Sequence, residues 1–127
     1  MKKFVLTALA IALSFGTITA ASTSYEAPVK TNLEYSNVST FCKLIRAGNF
    51  EAVKAMVENG TDINRKSVGL TPLMFAARYN KAEIVQLLID NGAKLKVKSE
   101  RGYTALEYAR MSKAHEAYKA IAAALEK

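Results

Sequence analysis

Two fragments of this chain return at almost the same interval. EAVKAMVENG (51–60) lies over EIVQLLIDNG (83–92) at a shift of 32, and GLTPLMFAAR (69–78) lies over GYTALEYARM (102–111) at a shift of 33. Glu51, Val53, Asn59 and Gly60 match identically in the first pair, and Gly, Thr, Leu and Ala recur in the second. Self-similarity at such a period is the mark of a stacked array. One copy cannot bury its own apolar face, so neighbouring copies must cover it.

Each copy reads as a pair of helices. Thr71 is suited to an N-cap and Pro72 to the first helical position, where its missing N–H has no helical partner to lose. The first helix is expected from Pro72 to about Tyr79, with high apolar content because it packs against neighbours on both sides. Asn80 follows where the chain must turn sharply, and Gly48 stands at that place in the preceding copy; both residues tolerate a left-handed backbone. A second helix, Ala82 to Asp90, puts Glu83, Gln86 and Asp90 on one stripe and turns Ile84, Val85, Leu87, Leu88 and Ile89 inward. The earlier copy repeats the stripe as Glu51, Lys54 and Glu58. Gly92 ends the helix, and the polar segment Lys94 to Arg101 leads into the next copy.

With TPLM (71–74), FAA (75–77), EIVQLLIDNGA (83–93) and DIN (62–64) in place, the sequence resembles the ankyrin repeat family over residues 38–127. The resemblance implies an all-α ankyrin-repeat solenoid of about three helix-turn-helix units with short hairpin loops, at about 38–68, 69–101 and 102–127. The outer copies depart from the pattern. STFCKLI (39–45) lacks the proline and has Cys42 where the family has histidine, and the last copy has an alanine-rich second helix. Irregular terminal copies of this kind act as caps.

The N-terminus has a different character. Lys2 and Lys3 precede an uncharged apolar run from Phe4 to Phe15, followed by small residues, which is the order of a secretory signal peptide and is expected to span residues 1–21. The run is short for a membrane span of about 20 apolar residues. Residues 22–37, with Pro28 and no sustained period, are expected to form a flexible leader. Export to a bacterial periplasm follows, with secretion as the alternative; Asn37-Val38-Ser39 and Asn59-Gly60-Thr61 would be glycosylation candidates on a eukaryotic route. Without the signal, 16 basic and 11 acidic residues remain, a net of +5. In an exported protein that balance points to acidic protein surfaces or an anionic envelope, and away from nucleic acid. No stable membrane insertion is expected after signal removal, and the single Cys42 cannot form an internal disulfide.

Nothing in the sequence makes a credible active site, so the chain is not expected to be an enzyme. Cys42 in the first unit and His115 in the third would lie roughly two helix spacings of about 8–10 Å apart, whereas proton transfer needs about 3 Å. One Cys and one His fall short of the roughly four ligands of structural zinc. The glycines fall at helix ends and turns rather than in a phosphate loop, and Glu51 and Glu58 lie on the solvated stripe. No cofactor and no metal are expected. Cys42 reads as a small buried residue and His115 as a packing or surface residue.

A protein partner is what remains. In the resembled family, contact positions flank the glycine and threonine before the first helix and follow the alanine pair near its end, on a concave face. Carried onto this sequence, they are Ser67, Val68, Leu70, Arg78 and Tyr79 in the second unit, Glu100, Arg101, Tyr103 and Met111 in the third, and Arg46 in the first. Tyr and Arg are residue types that anchor interfaces. Arg65, Lys66, Lys94, Lys96 and Lys98 form basic hairpin tips that would steer an acidic partner. The expected function is an exported, monomeric protein–protein interaction module. Two alternatives stay open: an accessory or inhibitor of an envelope enzyme in stress defence, which rests on resemblance, and envelope adhesion through the basic tips.

Overall fold

The structure, a computed structural model, describes residues 37–127. The expected signal segment, and the expected leader apart from Asn37, lie outside the described residues. Six helices follow one another: α1 (Thr40–Ala47), α2 (Phe50–Glu58), α3 (Pro72–Arg78), α4 (Ala82–Asp90), α5 (Ala105–Met111) and α6 (His115–Leu125). They form three helical pairs in two layers. The inner helices pack in the order α1, α3, α5 and the outer ones in the order α2, α4, α6.

Local chemistry starts the helices where the sequence indicates. The Thr71 hydroxyl accepts from the Met74 N–H at 3.2 Å, and Pro72 opens α3. The reciprocal acceptor, usually a carboxylate, is the Met74 thioether, 3.3 Å from the Thr71 nitrogen. In α5 a carboxylate does this work: Glu107 accepts from the Thr104 N–H at 2.9 Å, and the Thr104 hydroxyl accepts from the Glu107 N–H at 3.3 Å. That bond from the Thr104 N–H is the main reason the Glu107 carboxyl sits below its ordinary pKa. Each inner helix is followed by a left-handed residue: Gly48 (φ 79°), Asn80 (φ 55°) and Lys113 (φ 57°). The first two match expectation. Lys113 lacks the sequence signature of such a turn.

Between the layers lies one apolar core. Ala76 and Ala77 are fully buried in α3, and their small side chains let it lie between α1 and α5. Ile45, Val53, Val85, Leu88 and Ile121 fill the space towards the outer helices. Glu83, Gln86 and Asp90 are exposed, as are Glu51, Lys54 and Glu58, so the polar stripes face water. Cys42 is 1% exposed, and burial pushes its thiol pKa up, which keeps it a packing residue.

Polar bonds join one unit to the next. The Ser39 N–H donates to the Ser67 hydroxyl at 2.8 Å, and the Asn64 carboxamide oxygen accepts from the Lys94 N–H at 2.8 Å. Asn80 reaches furthest. Its amide donates to Glu116 at 2.8 Å and its oxygen accepts from the Ala117 N–H at 3.0 Å. It thereby caps α6, which has no side-chain cap of its own.

The tips account for the two periods in the sequence. Ser67 and Leu70 exchange backbone bonds of 2.8 and 3.1 Å across a two-residue turn made of Val68 and Gly69. In the next tip the Ser99 N–H bonds the Tyr103 carbonyl at 2.8 Å, so three residues intervene. Val68 has φ 45°, which a β-branched residue adopts only at a cost, while Gly69 beside it has φ 82°. Positive φ at both central positions is the type I′ pattern that favours Asn-Gly. Val68→Asn is therefore expected to stabilise the stack by about 1 kcal/mol. This would raise the melting temperature by about 4–8 °C in calorimetry, and an unchanged or lower value would show that the turn carries no strain.

Candidate partner-binding surface

Arg46, Arg78 and Met111 occupy one register. Each stands two residues before the left-handed residue that ends its inner helix, so the three form a row across the three units. Tyr79, one position further on, turns its ring towards this row. The Cζ atoms of Arg46 and Arg78 both lie 5.8 Å from the ring centroid, within the range of a cation–π contact. Tyr79 is 37% exposed and Met111 50%. The structure thus brings three sequence-selected residues from two units into one cluster and sets Met111 in line with them.

Tyr103 stands on the longer tip. It is 38% exposed, and its ring meets Tyr108 edge to face at a centroid distance of 5.7 Å. Tyr108 is itself anchored, its hydroxyl donating to the Ser99 hydroxyl oxygen at 2.8 Å. That oxygen also accepts from the Arg101 and Tyr103 N–H groups at 3.2 and 3.3 Å. Ser99, absent from the sequence-selected set, therefore shapes the tip and holds Tyr103. Aligning the tips on their own bridging residues instead of on the glycines would have paired it with Ser67.

Ser67 itself is a correction. It is buried, and its hydroxyl accepts from the Ser39 N–H, so it joins two units instead of facing a partner. Leu70 is half-buried and packs against the core. Val68, Glu100 and Arg101 are exposed at the tips. The Glu100 side chain lies across Gly69, where an added Cβ would come within 2.7 Å of its carboxyl carbon. Arg65, Lys66, Lys94, Lys96 and Lys98 are all exposed on the loops that join units.

Charge separates by layer. The inner helices and the loops joining units (40–47, 61–78 and 93–111) carry ten basic and three acidic residues, a net of +7. The three outer helices carry two basic and five acidic residues, a net of −3. The side that holds the arginine row is thus the side that attracts anions. Among the described residues no group of three or more His, Cys, Asp or Glu is placed to hold a metal ion. No helix among them is long and apolar enough to cross a membrane.

Stacked helical pairs with variable exposed residues on one side define a repeat scaffold for binding proteins. The family profile described as ankyrin repeats (3 copies) matches residues 41–126, and the chain belongs to the ankyrin repeat family. It is 36% identical over 83 residues to dauer abnormal formation protein 25 of Caenorhabditis elegans, covering 64% of this chain and 21% of that protein. It is 37% identical over 70 residues to a putative ankyrin repeat protein of Rickettsia bellii, covering 50% of this chain and 42% of the other. A solved chain comes from the complex of a predatory endopeptidase of Bdellovibrio bacteriovorus with an immunity protein. It matches with a TM-score of 0.64 at 29% identity, over 68% of this chain and 47% of that one. The chain therefore spans less than half the length of each of these proteins. Ankyrin repeats form protein–protein interaction modules, and this chain is of that class.

Proposed function

We propose that this chain is an exported, periplasmic interaction module that binds an acidic protein partner on its inner-helix and tip side. The observation that carries this reading is the convergence of Arg46 and Arg78 on Tyr79 within the basic layer. Arginine and tyrosine supply a large contact area and directional donors, the properties of interface hot spots. The lysine-led apolar segment at the N-terminus supports export. The basic tips raise the encounter rate with an anionic partner and make it sensitive to salt.

A second reading gives the partner an activity. The likeness to a chain from an endopeptidase–immunity protein complex favours an envelope hydrolase held in check by this module. In that reading the partner carries the chemistry. Adhesion to anionic lipid or polysaccharide through the tips is the weaker alternative, since it leaves Tyr79 and Tyr103 without a role.

Affinity capture from an envelope extract with the tagged chain tests the reading. The triple variant Arg78→Ala, Tyr79→Ala, Tyr103→Ala is expected to lose capture by at least about 100-fold, hot-spot truncations costing about 2 kcal/mol or more each. Circular dichroism should stay unchanged, because all three side chains are exposed. Undiminished capture by the triple variant would remove this surface from the function.

A further inference from the structure

We infer that the row Arg46, Arg78, Met111 seats an extended, polyproline-II-like segment of the partner that carries a carboxylate and, three residues away, an apolar side chain. This inference rests on the binding surface proposed above and specifies what that surface recognises. The carboxylate sits beside Arg78, where Arg46 and Tyr79 converge; the apolar side chain sits one unit further on, against Met111.

Three observations lead there. First, two guanidinium groups converge on one tyrosine ring, both at 5.8 Å from its centroid. Arg78 is exposed, and a carboxylate seated beside it meets positive charge contributed by both units. Guanidinium N–H donors match carboxylate oxygens in pairs. Second, the chemistry changes along the row. The same register position holds arginine, arginine and then a 50% exposed methionine. An anion alone would leave the methionine end unused.

Third, spacing selects the conformation. Neighbouring helices lie about 8–10 Å apart. A polyproline II segment repeats its facing side chain every three residues, at about 9.3 Å. In a β-strand, residues on the same face lie about 6.7 or 13 Å apart, and neither matches one unit. An amphipathic helix docks through a continuous apolar stripe, which a row opening on two arginines does not offer.

Selection of a phage-displayed library of random twelve-residue peptides on the full chain tests the inference. Enriched peptides are expected to carry Asp or Glu three positions from Leu, Ile, Met or Phe. Replacing that acidic residue by its amide in a synthetic copy should weaken binding by about 10- to 100-fold in fluorescence anisotropy. Selection on Arg78→Glu should turn the preference to Lys or Arg, while Lys54→Glu on the outer face should leave it acidic. Peptides without an acidic residue, a spacing of two, four or seven, or no enrichment at all would each overturn the inference. The broader reading fails separately, if capture of a folded partner ignores Arg78, Tyr79 and Tyr103.

Discussion

Leu88→Ala is expected to destabilise the stack by about 2–5 kcal/mol, the range for emptying a fully buried leucine site. Leu88 is 0% exposed in the last turn of the middle outer helix. That helix packs against α3 within its unit and against α2 and α6 on either side. Stability in such an array is close to a sum of unit and interface contributions, so damage to the central unit weakens both of its interfaces. The 91 described residues form a domain whose total stability is on the order of 5–14 kcal/mol. The loss is therefore a large part of the whole, and among the described residues the first and third units bury their facing surfaces on the central one. Urea denaturation followed by circular dichroism should give one transition at a clearly lower midpoint. An unchanged midpoint would mean that α4 is not the joint between the outer units.

The order of units was readable because their ends are built from residues with few conformational alternatives. Thr71-Pro72 opens a helix, Gly48 and Asn80 close their turns at positive φ, and the apolar spacing of α4 has one inward face. Details went unread where a residue does work that its type does not announce. Lys113 takes the left-handed conformation because the array repeats it, not because lysine favours it. Met74 completes a capping pair through sulfur. The extra residue in the second tip lies between two matched glycines, and it shifted the correspondence of Ser67 from Ser99 to Glu100. That shift left Ser99 out of the contact set, whereas Ser67 entered it by its place two residues before Gly69, although its hydroxyl is buried between two units.

The site was legible as a set of positions but not as a cluster. Sequence reasoning selected Arg46, Arg78 and Tyr79 separately. Only the register of α1 against α3 brings two cations from different units to one ring. The division of charge between layers is also hidden in a linear count, since the overall excess of positive charge does not say where it lies. In space, the outer helices are net acidic and the inner side strongly basic, so the two layers differ in the sign of charge they attract.

Asn80 is where unit-to-unit coupling can be tested with single substitutions. Its left-handed backbone and its side-chain bonds to Glu116 and Ala117 are separate contributions. Asn80→Gly removes the side chain but keeps the backbone relaxed, so it should cost about 1 kcal/mol, the usual worth of a lost N-cap. Asn80→Ala loses the cap and also forces an alanine to φ near 55°. This adds about 1–2 kcal/mol, for a total of about 2–3 kcal/mol. The pH dependence follows from Glu116, whose carboxyl is held below its ordinary pKa first by the hydrogen bond from Asn80. A depressed carboxylate pKa in the folded state stabilises above the ordinary range and loses that effect as pH falls through the folded value. The gap between wild type and both variants should therefore narrow below about pH 4, near the ordinary glutamate pKa. Urea midpoints at neutral and acid pH would check all three steps. Equal midpoints for Asn80→Ala and Asn80→Gly would show that the left-handed turn costs alanine nothing here. A glycine variant as stable as wild type would show that α6 does not depend on its neighbour for its cap.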